Sequence, residues 1–215
     1  MKEVADWGLR IETSPAKETA KDALRFIGNG AMDIIMYLTV PMLADAKENE
    51  GTRECLQTMD MMVCAEPELL TSLNSDASEW ANEIEEDTFF HEMVKRLARA
   101  KQNVYLVADT NEALAAYEEY LREIHENTVL AGTYLWNDTT GSADDLVNEI
   151  NDCSPHVVIS ALAFERFMQL VSDNRRSLNA DLWIARPDGT PGYDAPKGLA
   201  WLAQKLIYNK ILNQD

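Results

Sequence analysis

Asn103-Val-Tyr-Leu-Val-Ala108 opens a stretch, continuing to Ala185, in which short apolar strands alternate with amphipathic helices. Residues 111 to 125 come next, placing Leu114, Tyr117, Leu121 and Ile124 on one face of a helix with acids opposite. Thr128-Val-Leu-Ala-Gly-Thr-Tyr134 reads as the next strand, Ser142 to Asn151 as a helix turning Leu146, Val147 and Ile150 inward, and His156-Val-Val-Ile-Ser-Ala-Leu162 as a third strand. Phe164, Phe167, Met168 and Val171 mark another helix, and Asp181-Leu-Trp-Ile-Ala185 closes the block. A strand without a polar face must be covered on both sides. The alternation therefore predicts an α/β fold with a mostly parallel sheet of about six strands and helices on both faces, a Rossmann-like three-layer arrangement.

The flanks extend the same pattern. Gly8-Leu-Arg-Ile11 reads as a short edge strand, and Ser14-Pro15 begins a helix that buries Ala20, Ala23, Leu24 and Ile27 and stops at Gly28-Asn-Gly30. Met32 to Thr39 and Asp60 to Ala65 are strands, separated by a helix from Pro41 to Lys47 and a helical turn over Thr52 to Gln57. Residues 66 to 87 read as an acidic surface excursion with one helical turn at Glu68 to Leu73, and Glu83, Glu85, Glu86 and Asp87 as a solvated run. Thr88 to Ala100 is a helix on Phe90, Val94 and Leu97. A loop from Arg186 to Gly192 precedes a last helix over Lys197 to Leu212. No repeat or linker divides residues 1–215, which read as a single domain.

Composition narrows the function. With 37 acids against 19 bases the net charge is -18, which argues against nucleic acid as a partner. Lys95, Arg96, Arg99 and Lys101, the densest basic group, sit late in a helix, where bases favour the negative end of its dipole. Three cysteines without CxxC spacing suggest neither a disulfide framework nor a zinc site, and fit a reducing cytoplasm. No window reaches the roughly 18 apolar residues of a membrane span. A cytoplasmic protein is expected, with peripheral membrane contact left open.

Phosphate-cradling GxGxxG and GxxxxGK[ST] runs are absent, as are HExxH and GxSxG. His91, His125 and His156 are scattered and read as structural. Asp144-Asp145 sits at a helix start, where acids favour the dipole, so no metal site is expected. The closely spaced Met32, Met36, Met42, Met59, Met61 and Met62 read as adaptable core packing.

The order of elements resembles the bacterial WecG/TagA/CpsF glycosyltransferases. In that family a VFLLGG-type strand leads into a helix, and EEIIEEIN and P-DILLVGLGSPKQEKWI come after it. Here Val104-Tyr-Leu-Val-Ala108, the helix from Glu112 to Ile124, Val129 to Tyr134, Asp145-Leu-Val-Asn-Glu-Ile-Asn151 and Pro155-His-Val-Val-Ile-Ser-Ala-Leu162 stand at those places. Asn174 to Ala180 matches the family's passage into its next strand. Arg53-Glu-Cys-Leu-Gln57 and Asp60-Met-Met-Val63 are similar to its REALN-ADLVLPDG segment. The resemblance covers about residues 8 to 210.

It implies a transferase of cell-envelope biosynthesis that moves an N-acetylmannosamine-type sugar from a UDP donor to a lipid-linked acceptor, with no cofactor beyond the UDP-sugar substrate. The family's catalytic aspartate falls at Ala65 or Glu66, so Glu66 becomes the expected general base. The family's threonine and asparagine fall near Tyr37 and Thr39. GLGSPKQE has become Ala161-Leu-Ala-Phe-Glu-Arg-Phe-Met168, and GGxFD has become Ala185-Arg-Pro-Asp-Gly189. Glycines at such a turn let backbone amides approach a diphosphate, which alanine and phenylalanine obstruct.

Open α/β sheets place ligands at the carboxyl ends of their strands. Thr39, Glu66, Asp109, Arg166 and Arg186 are therefore expected around one crevice, with Arg166 or Arg186 steadying the leaving diphosphate. A crevice filled by Phe164, Phe167 and Trp183 would leave that diphosphate no room. The alternative is a catalytically silent relative that keeps the fold to bind a small ligand or a partner protein, for which the altered motif positions speak.

Overall fold

A computed structural model describes residues 2–4, 8–73, 79–136 and 142–187. The chain runs β1 (Lys2–Val4), β2 (Leu9–Glu12), α1 (Ala16–Ala23), β3 (Asp33–Leu38), α2 (Val40–Glu48), α3 (Glu50–Gln57), β4 (Met61–Cys64), α4 (Pro67–Leu73) and α5 (Asn82–Glu85). It continues with α6 (Thr88–Arg99), β5 (Asn103–Ala108), α7 (Asn111–Ile124), β6 (Val129–Leu135), α8 (Ala143–Cys153), β7 (Val157–Ala161), α9 (Phe164–Asn174) and β8 (Leu182–Ala185). The expected last helix over Lys197 to Leu212, and the loop beyond Pro187, lie outside the described residues.

The strands form one sheet in the order β1-β2-β4-β3-β8-β7-β5-β6. From β2 to β6 across that sheet every pairing is parallel, and only β1 runs antiparallel, at the edge beside β2. The three-layer α/β expectation holds, with two corrections. Among the described residues there are eight strands rather than about six, and the strand at Leu9 is not the edge because β1 covers it. A three-residue strand carrying Lys2 and Glu3 has no apolar alternation to reveal it.

Each strand is buried twice. In β3, Ile34, Met36 and Leu38 face one layer while Ile35 and Tyr37 face the other. The first layer holds α2, α3, α4, α8 and α9, and the second holds α1, α6 and α7. All six closely spaced methionines are buried in these cores. α7 is rotated from its expected setting: Ala113, Tyr117 and Leu121 are buried, while Leu114 and Ile124 pack on the shoulder, half-buried.

Helix ends are held locally. Ser142 accepts the Asp145 N–H at 3.1 Å and donates to the Asp145 carboxylate at 2.8 Å, so Asp145 completes a cap at the start of α8. Among the described residues no helix is long and apolar enough to cross a membrane. Ile150 of α8 is fully buried. Ile150→Ala is expected to cost about 2–5 kcal/mol in chemical denaturation, from lost transfer energy and the cavity left behind. An unchanged midpoint would show that the inward face of α8 is assigned wrongly.

Candidate functional site

Because seven strands run in parallel, their carboxyl ends open on one edge of the sheet. The ladder extends one residue past several strands and fixes the positions just beyond them: Ala65 N–H donates to Leu38 at 2.9 Å, Asp109 to Ala161 at 3.2 Å, Trp136 to Ala108 at 2.8 Å and Arg186 to Ser160 at 2.9 Å. The helices after β5 and β7 leave to opposite faces, α7 to one and α9 to the other. That divergence between neighbouring strands is the switch point at which open α/β sheets form their ligand crevice.

Two of the expected site residues meet at the start of α2. Thr39 Oγ1 accepts the Met42 N–H at 3.4 Å and Glu66 Oε1 accepts the Val40 N–H at 3.1 Å, so a hydroxyl and a carboxylate both cap this helix. Cys64 lies just beneath; burial, reinforced by the Glu66 charge, pushes its thiol up to about 12 and leaves it no thiolate chemistry near neutral pH.

Another two meet at the switch point. The Asp109 carboxylate accepts the Ala163 N–H at 2.5 Å, where α9 begins, and pairs with the Arg166 guanidinium. Arg166 also lies over the Trp136 ring, 5.6 Å from its centroid, and Tyr134 meets that indole edge-on at 6.4 Å. Trp136 was not anticipated from the sequence. The available signal was an aromatic residue at a strand's carboxyl end, followed by polar Asn137-Asp138-Thr139.

Arg186 leaves β8 between these two pairs, but its side chain turns toward the layer of α6 and α7. Its guanidinium is sandwiched between Tyr37 and Phe90, 4.6 Å from each centroid, and donates to Asp87 at 2.7 Å. Burial works against the arginine's charge, but the Tyr117 and Tyr37 hydroxyls and Asp87 outweigh it and raise its pKa. Asp87 also accepts Tyr120 Oη at 3.1 Å and Tyr37 Oη at 3.4 Å, and Tyr120 in turn meets His91 Nε2 at 2.7 Å. Tyr120 gives its single hydroxyl proton to Asp87, so its oxygen accepts from His91, which carries its proton on Nε2. Burial, then the charge of Asp87, raises the Tyr37 and Tyr120 pKa values.

The reading of Glu83, Glu85, Glu86 and Asp87 as a solvated run needs correction. Glu85 and Glu86 are exposed, but Glu83 accepts the Ala16 N–H at 2.7 Å and so caps α1, while Asp87 neutralises the buried arginine. A short run of acids carries no record of partners 67 and 99 residues away.

Trp183 does not stand above the strand ends, while Phe164 opens α9 just past the end of β7 and is buried. Trp183 pairs in register with Ile34 and Val158, two residues short of the end of β8, and donates its indole N–H to Ser160 at 2.7 Å. Phe167 meets it edge-on at 6.0 Å, and all three fill the layer under α9. Among the described residues no group of three or more His, Cys, Asp or Glu is placed to hold a metal ion.

No curated protein matches the chain. A family model described as glycosyl transferase, WecG/TagA/CpsF family, matches residues 4–186. That range contains every parallel strand and all the side chains just placed at the strand ends, and the chain belongs to the WecG/TagA/CpsF family of glycosyl transferases.

Proposed function

We propose that the chain transfers an N-acetylmannosamine-type sugar from a UDP donor to a lipid-linked acceptor, with the donor lying across the carboxyl ends of β6, β5, β7, β8 and β3. The observation that supports this most is that two chemically distinct groups of side chains stand at the carboxyl ends of the parallel strands. Trp136 and Arg166 at one end offer an aromatic face and a planar cation, groups a nucleotide requires, with the Asp109 carboxylate held against Arg166. Thr39, just after β3, lies three strand spacings from Asp109, just after β5, roughly 14 Å, a span suited to an extended nucleotide sugar, and Glu66 caps the same helix as Thr39. Glu66 would there take the proton of the acceptor hydroxyl as it attacks the anomeric carbon. Arg166 would meet the charge that develops on the departing UDP, since a guanidinium engages two phosphate oxygens at once.

Arg186, turned toward Asp87, serves in this reading as a brace for the crevice floor rather than as a direct ligand of the diphosphate. The silent alternative draws on one observation, the Asp109 carboxylate already seated at the start of α9.

Calorimetric titration with UDP and UDP-sugars at low salt tests the proposal. Arg166→Ala is expected to weaken UDP binding by roughly 10- to 100-fold, the scale of one charge-assisted hydrogen bond. Complete absence of binding by the unmodified chain would remove the donor reading and leave the silent one.

A further inference from the structure

Asp109 lies just after β5, and its carboxylate is engaged in two directions. One oxygen accepts the Ala163 N–H and the other accepts the Arg166 guanidinium. These are two donors that an entering phosphate would use, a backbone N–H at the positive end of an 11-residue helix and a planar cation. In the crevice proposed above for the donor, the place of an anion is thus filled from within the chain.

The pair is partly buried at the exposed start of α9. The Asp109 and Arg166 side chains each keep only 24% of their exposure. Ala163 has φ -52 and ψ 140, a conformation open to any residue, so its N–H is presented without backbone strain. A diphosphate arriving beside this carboxylate also meets a like charge, which weakens its binding.

We propose that Asp109 is a specificity-determining residue: an internal anion that occupies a donor phosphate's place and must be displaced from Ala163 and Arg166 before a nucleoside diphosphate binds. The inference rests on the donor reading of the crevice. Ligands without a phosphate cannot compete for these two donors, so Asp109 sets a threshold that uridine does not pass and that the more highly charged diphosphate of UDP passes more readily than the monophosphate of UMP.

The test compares UDP, UMP and inorganic pyrophosphate by calorimetry on the full chain and on Asp109→Asn and Asp109→Ser. Both substitutions keep an oxygen that can accept the Ala163 N–H while removing the charge, and thermal melting checks that each variant folds. The expected result is UDP and pyrophosphate binding at least about tenfold tighter in both variants, with a smaller preference for UDP over UMP. If the unmodified chain binds UDP and the folded variants bind it equally or more weakly, the proposal falls while the donor reading stands; Asp109 then orients Arg166 or contacts the nucleoside. If neither the chain nor the folded variants bind any of the three, the donor reading falls and the proposal with it.

Discussion

Asp87→Asn is expected to destabilise the protein by about 3–5 kcal/mol, because it leaves the Arg186 guanidinium charged and buried without a counter-charge. The pair is largely screened from water, the two side chains keeping 11% and 19% of their exposure, so solvent cannot take over the role of the carboxylate. Asparagine is the informative replacement. Asp87 has φ 50, in the left-handed region that asparagine also tolerates, and alanine would add backbone strain to the electrostatic loss. Urea denaturation gives the magnitude, and the double variant Asp87→Asn, Arg186→Met should recover most of it, since a methionine among Tyr37, Phe90 and Tyr117 leaves no unpaired charge. A loss below about 1 kcal/mol in Asp87→Asn would show that the pair contributes no more than a surface salt bridge.

Glu66→Gln is expected to reduce sugar transfer by about 10²- to 10⁴-fold, the usual contribution of a positioned general base, while leaving UDP affinity unchanged. The amide retains an oxygen able to accept the Val40 N–H, so the cap on α2 and the fold should survive. What it lacks is a basic site for the acceptor's proton. Turnover measured at saturating donor, with UDP affinity measured in parallel, separates this from a binding defect. A variant that transfers sugar at the original rate would relieve Glu66 of the role.

The elements were readable because the information that makes them is local. β3, β5, β7 and β8 are apolar runs bounded by polar residues, and α6, α8 and α9 carry their buried side chains at helical spacing. β1 was not readable, being short and polar. The order of strands across the sheet is likewise absent from any local window.

The site divides in the same way. Thr39, Glu66, Asp109, Arg166 and Arg186 could be named because each succeeds a strand or begins the next helix, and the parallel arrangement carries all those positions to one edge. How they pair could not be read. Asp109 with Arg166 joins residues 57 apart, and Asp87 with Arg186 joins residues 99 apart, which no spacing rule reaches. Asp87 went unrecognised because its nearest neighbours in sequence are acids, whereas its neighbours in space are tyrosines and an arginine.

The position of β8 has a consequence for how the chain is made. β8 is the last described strand to leave the ribosome, yet it lies in the middle of the sheet, paired with β3 on one side and β7 on the other. Until residue 185 emerges, the nascent protein can build only two separate half-sheets, each with an unpaired apolar edge facing the gap that β8 will fill. Closure therefore waits for translation past residue 185, and the waiting halves present the edge-to-edge pairing risk against which chaperones guard. A ribosome stalled before Leu182 would hold an unclosed intermediate, and one stalled well beyond Ala185 a continuous sheet.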